Sequence, residues 1–158
     1  MTTTLPAPAE AITVPTTIQH APSVVRCGPT VSRDATAPNR RRGGDIRTLL
    51  SPASVGATAG FLGTLTLAPG EVVTEHWHPY SEEFIYCVSG SVEVKLNGEP
   101  RRLVGESGVL VPIGVRHRIE NDSDTAAFFV FACTPLAPRP ELGHVDTEPT
   151  PVQHGGSS

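Results

Sequence analysis

No stretch of this 158-residue chain approaches the ~20 consecutive apolar residues that a membrane-spanning helix needs, so a membrane protein is not expected. The N-terminus lacks a basic region followed by an apolar run. No secretory signal is therefore read, and a cytoplasmic location is the default expectation. Cysteine is scarce and odd in number: Cys27, Cys87 and Cys133, with no C-x-x-C pair. That excludes a disulfide framework and a cysteine-type zinc site, and leaves buried thiols in a reducing compartment. Amphipathic helices of ordinary length are missing, which removes βαβ architectures. No helix-turn-helix pattern is visible. The net charge is −4. The one basic run, Arg40-Arg41-Arg42 beside Gly43-Gly44, reads as a solvated loop, so no nucleic-acid partner is expected.

What is present is an all-β pattern. Short runs of Val, Leu, Ile and Thr are punctuated by Gly and Pro. Strands are expected over Phe61–Leu67, Phe84–Val88, Ser91–Leu96, Arg101–Val104, Val109–Val111, Arg116–Glu120 and Ala126–Cys133. Between two of them Asn97-Gly98 supplies the pair of φ > 0 residues of a type I′ hairpin. Hairpin follows hairpin, so a double-sheet jelly roll or β-barrel is the economical architecture. Residues 1–20, rich in Thr, Pro and Ala, read as a flexible arm; 21–148 as a single β-barrel domain with a C-terminal extension; and 149–158 as a disordered tail.

Histidines carry the chemistry. In Thr74-Glu75-His76-Trp77-His78, residues two apart on a strand share a face, so His76 and His78 project together. In Arg116-His117-Arg118-Ile119-Glu120 the charged residues want water, so His117 and Ile119 face inward. A buried neutral imidazole without a partner costs about 1–3 kcal/mol, and a metal shared with His76 and His78 supplies that partner. Imidazole suits zinc, iron, copper and nickel.

The pattern G-x5-H-x-H-x4-E-x6-G fits Gly70, His76, His78, Glu83 and Gly90, and P-x-G-x2-H-x3-N fits Pro112, Gly114, His117 and Asn121. These segments resemble the two motifs of the cupin superfamily over roughly residues 55–135. The glycine that usually opens the second motif is displaced, to Gly105 or Gly108. The resemblance implies a cupin barrel with one metal ion per chain near its mouth, a homodimer, and Glu83 as the fourth ligand. Glu82, next to it, has the opposite parity, and a one-residue slip would exchange the two. A rival ligand is His144. The stiff segment Pro135-Leu136-Ala137-Pro138-Arg139-Pro140 precedes it, and Leu142 and Val145 could dock it over a barrel opening. The alternative is a free histidine in a tail, and both readings stay open.

The stretches HWHPYSEEF, LVPIGVRHRIEN and PLAPRPELGHVDTEP resemble the cupin-type cyclases of bacterial aromatic polyketide pathways. This implies regioselective aldol-type cyclisation and dehydration of a poly-β-ketone, free or carried by an acyl carrier protein. A divalent metal, zinc first with iron or nickel as alternatives, would polarise a carbonyl. The base would be water activated at the metal, or whichever of Glu82 and Glu83 is not a ligand. Tyr86 or Tyr80 could donate a proton, and Asp146 could orient His144. Two other readings use the same site: an iron-dependent dioxygenase, and a non-catalytic ligand-binding cupin. Trp77 and the run Ala126–Phe131 are expected to face the second subunit.

Overall fold

The computed structural model describes residues 28–150. The arm expected over 1–20, together with His20, Cys27 and His154, lies outside the described residues, as does the tail from 151. Ten strands are present among the described residues: β1 Asp45–Leu50, β2 Phe61–Leu67, β3 Val72–Trp77, β4 Glu82–Ser89, β5 Ser91–Leu96, β6 Glu99–Val104, β7 Ser107–Val111, β8 His117–Glu120, β9 Ala127–Thr134 and β10 Val145–Asp146. The single α-helical turn among the described residues, Pro52–Val55, is capped by Ser51 and closed by Gly56. No helix among the described residues is long and apolar enough to cross a membrane.

The strands form two antiparallel five-stranded sheets, ordered β1-β2-β9-β4-β7 and β10-β3-β8-β5-β6. From β2 to β10 the chain passes repeatedly from one sheet to the other, the jelly-roll path expected from the run of short strands. The hairpin at Asn97-Gly98 forms as read, with φ of 50° and 85°, and pairs Leu96 with Glu99. Gly90 has φ 88°. A Cβ there would stand 2.7 Å from Ala127 Cα, so only glycine fits this crossing from β4 to β5.

Period-two alternation decides what lies inside. Val92 and Val94 of β5, Ile119 of β8, Ile85 and Cys87 of β4, Leu65 and Leu67 of β2, and Phe129 of β9 form the core. Asn121, the last residue of the second motif, is fully buried and structural. Its Nδ2 donates to Leu67 O at 2.9 Å and Thr125 O at 2.8 Å, and its Oδ1 accepts from the amide and hydroxyl of Ser123. It thus ties the β8–β9 turn to the end of β2.

Three features differ from the sequence reading. Strand β1 had no signal of its own, because Asp45 and Arg47 break its apolar pattern; both are absorbed in an ion pair at 2.7 Å. The C-terminal extension docks by backbone pairing, with Val145 opposite Trp77 and Asp146 opposite His76; the Val145 side chain itself remains exposed. This strand covers the edge of β3 that would otherwise present unpaired amides. Finally, the run Ala126–Phe131 does not face outward as a block: Ala127 and Phe129 are fully buried, and the Arg33 guanidinium sits 5.9 Å over the Phe128 ring.

Candidate metal centre

His76 lies near the end of β3, His78 one residue past it, Glu83 on β4 and His117 at the start of β8. The first two and His117 come from one sheet and Glu83 from the other, so closure of the barrel assembles the group. Pairing of His76 with His117 across β3 and β8 sets two rings 4.2 Å apart between centroids, with His78 5.2 and 5.3 Å from them. The amide of Gly114 donates to His78 O at 3.0 Å, which locks the second motif to the first. All four side chains are buried, and one ligand atom from each lies within 4.8 Å of the others.

Each histidine is oriented by a backbone carbonyl. Nδ1 of His76 lies 2.9 Å from Thr74 O, that of His78 2.8 Å from Gly143 O, and that of His117 3.1 Å from Val115 O. A carbonyl only accepts, so in each ring Nδ1 carries the hydrogen and Nε2 is left to point inward with its lone pair free. Three such lone pairs converge on the acceptor-only carboxylate of Glu83. His117 Nε2 is 2.9 Å from Glu83 Oε2, yet the pair lacks hydrogen-bond geometry and this buried nitrogen has no hydrogen-bond partner among the described residues. Four converging acceptors repel one another unless a proton or a cation lies among them. Backbone-anchored imidazoles of this kind are the usual support of a metal ligand set.

The electrostatics agree. Burial pushes the His76 imidazole down to about 3, and the neighbouring His117 adds to this. Burial also works against charge on His78, but the Glu83 carboxylate, 3.3 Å from its Nε2, favours the protonated ring more strongly and raises that pKa. Burial raises Glu83, but its contacts with His117 and His78 more than reverse this and hold the carboxylate well below its usual range. Oxygen and imidazole donors of this type fit a divalent ion such as zinc, iron or nickel.

The group sits on the wall of a cavity of about 670 Å³ lined largely by apolar side chains, among them Ile46, Leu65, Phe129, Phe131 and Leu136. His144 also lines this cavity but is not in the four-residue group. Two candidates are turned away by strand parity. Tyr86 is 47% exposed on the outer face of β4 with Phe84, and Glu82 has the same outward parity, opposite Thr134. Neither lines the cavity, so the structure sets both apart from the metal group. Tyr80 is exposed as well. Asp146 is taken by Arg42, at 2.5 Å, and Arg41, at 3.2 Å. Arg42 is the residue that sequence reasoning missed: it lines the cavity with a side chain only 12% exposed, not in a solvated loop. A run of three arginines carries no signal of which one turns inward.

A two-sheet antiparallel jelly roll with three histidines and a glutamate turned inward defines a barrel of the metal-site type. The cupin domain family matches residues 63–133. Tetracenomycin polyketide synthase protein TcmJ of Streptomyces glaucescens is 52% identical over 137 residues, covering 86% of this chain and 92% of that protein. Polyketide synthase CurC of Streptomyces cyaneus is 57% identical over 111 residues, 70% of this chain and 72% of that one. Among solved structures, a predicted oxalate decarboxylase of Thermotoga maritima superposes with a TM-score of 0.60 at 25% identity, over 68% of this chain and all of that one. The chain belongs to the cupin family, in the branch whose members carry polyketide synthase names.

Proposed function

We propose that this protein is a metal-dependent polyketide cyclase that closes rings in a poly-β-ketone by aldol-type addition and loss of water. The observation that carries the reading is the set of three carbonyl-anchored Nε2 lone pairs and one carboxylate on the wall of a largely apolar cavity. The polyketide synthase names of its relatives supply the substrate class. His76, His78, His117 and Glu83 would hold one zinc ion per chain. When bound, such an ion supplies Lewis acidity toward a carbonyl oxygen without redox chemistry.

The protein's own residues do the rest. The apolar wall folds the chain and excludes water, so that one ring closure is favoured among several. With Glu83 in the ligand group and Glu82 outside the cavity, the imidazole left on the wall is His144. Burial lowers its pKa, with the Arg42 charge adding to the effect, so it is neutral at physiological pH and able to take a proton from a substrate carbon. The substrate arrives free or on an acyl carrier protein. A second copy of the chain is the proposed partner, packed on the outer face of β4 and β7, where Phe84, Tyr86 and Leu110 are each more than 40% exposed.

The test is metal analysis by inductively coupled plasma mass spectrometry beside cyclisation of a poly-β-ketone made by a minimal synthase. Wild type should carry zinc, His76→Ala and His117→Ala should lose both metal and ring formation, and His144→Ala should keep the metal and lose the ring. Loss of metal in His144→Ala would make it a ligand instead of a base. Iron with oxygen uptake would move the reading to a dioxygenase, and correct rings from a metal-free variant would overturn it.

A further inference from the structure

Arg42 is built into the cavity in an unusual way. Its carbonyl accepts from Thr74 N at 3.0 Å, which fixes its backbone to β3 beside the histidines. Its Nε donates to Asp146 Oδ1 at 2.5 Å. Its Nη2 is buried and has no hydrogen-bond partner among the described residues. A guanidinium nitrogen held out of water and unpaired is costly, and the cost is recovered when an acceptor meets it.

Charge points the same way. Asp146 is one carboxylate shared by two arginines. Arg41 is 63% exposed and has water around it, whereas Arg42 is not so compensated. The cavity wall therefore carries a fixed positive charge with an N–H to spare. That charge adds to burial in lowering the pKa of the neighbouring His144. Among the described residues no carboxylate other than Glu83 lines the cavity, and Glu83 belongs to the metal group.

We propose that Arg42 is the oxyanion-binding residue of this cavity: its Nη2 donates to a negatively charged oxygen, enolate or carboxylate, of the bound ligand. The ligand class rests on the cyclase reading. A β-ketone chain offers oxygens at regular intervals, so a fixed donor apart from the metal group pins the chain at a second point and sets which carbons meet. Guanidinium is suited to the task because it stays charged and its fork is rigid; Asp146 holds that fork through Nε and leaves Nη2 free.

The experiment is calorimetric titration with two probes, benzoylacetate, a β-keto acid, and benzoylacetone, its neutral diketone. Wild type, Arg42→Gln, Arg42→Lys and Arg41→Gln are compared, each checked for folding by thermal melting. Arg42→Gln should weaken benzoylacetate about ten- to a hundredfold, the range for a hydrogen bond to a charged group. Arg42→Lys, which keeps the charge and loses the fork, should fall between, and it serves as the test should Arg42→Gln fail to fold. If benzoylacetone weakens as well, the oxygen held is an enolate; if only the acid weakens, it is a carboxylate. Arg41→Gln should bind within twofold of wild type, because Arg41 shares Asp146 but not the cavity. Equal losses in the Arg41 and Arg42 variants would mean that Arg42 only holds the C-terminal strand, and unchanged affinity in Arg42→Gln would overturn the proposal outright. The titrations are repeated on metal-stripped protein, where the Arg42 effect should persist. A wild type that binds no metal would then sink the cyclase reading without touching this one.

Discussion

The sheet holding β3, β8 and β5 turns Glu75, Arg118, Glu120, Glu93 and Lys95 outward, stitched by ion pairs such as Lys95–Glu93 at 3.2 Å and Arg118–Glu148 at 3.3 Å. The sheet holding β4, β7 and β9 turns out Phe84, Tyr86, Leu110 and Val130, which line a shallow apolar groove. Inward, both sheets are largely apolar outside the metal group, with Thr64 and Thr74 as buried polar exceptions. The charged sheet supplies the three histidines and the apolar sheet supplies Glu83. The difference teaches that the two outer faces are built differently: one is charged and suited to water, and the other is the apolar face that the proposed second copy would cover.

The largest expected effect breaks the apolar sheet from within. Phe129 is fully buried, whereas Phe84, on the same sheet, is 47% exposed. Phe129→Ala should cost about 3–5 kcal/mol in urea unfolding. Phe84→Ala should cost the monomer under about 1 kcal/mol, since nearly half of the residue is already in water. Similar costs for both would mean that the outer face is packed in solution.

A second comparison concerns charge inside the barrel, where metal-stripped protein should be most stable near pH 6.5. The His76 pKa of about 3 lies below the unfolded value of 6.5, so below pH 6.5 the unfolded chain binds the extra proton. Stability then falls as the pH is lowered below 6.5, by up to about 1.4 kcal/mol per unit. His78 is shifted the other way; its contribution is full below 6.5 and is lost as pH rises through its folded value. Denaturation near pH 5, 6.5 and 8 should give a maximum in the middle, and His76→Gln should flatten the acid side. A stability that is level from pH 5 to 6.5 would show that His76 is not desolvated as the barrel implies.

The outer faces are separated by association. Tyr86→Lys puts a charge in the centre of the apolar groove and should convert a dimer to a monomer by light scattering, whereas Lys95→Ala on the other sheet should leave the mass unchanged. A wild type that is already monomeric at working concentration would remove the second copy as the partner.

Legibility followed the same division. In β8 the alternation of Arg116, Arg118 and Glu120 with His117 and Ile119 reads as in and out, and His117 and Ile119 are indeed buried. β9 is apolar on both faces, so alternation gave no parity, and the whole run was read as a partner face although Phe129 is core. Glu82 and Glu83 could not be separated until register put Glu83 beside Val111 and Cys133. Arg42 and the docking of β10 depend on contacts about a hundred residues apart, which no local pattern encodes.

The smallest expected effect lies where the chain crosses from the charged sheet to the apolar one, between β6 and β7. The second motif's opening glycine is displaced there, and Glu106 occupies the left-handed region at φ 64°, with its amide donating to Cys87 O at 2.8 Å. A residue with a Cβ pays about 1–2 kcal/mol for that conformation. Glycine would not, but it gives back roughly 0.5–1 kcal/mol through the greater freedom of the unfolded chain. The difference favours Glu106→Gly by about 0.5 kcal/mol, seen as a slightly raised urea midpoint with an unchanged slope. The backbone hydrogen bond to Cys87 survives the change, so the substitution isolates the cost of the conformation. A lowered midpoint would mean that the exposed Glu106 carboxylate contributes more at this crossing than its conformation costs, and that charge reaches the turn between the two sheets.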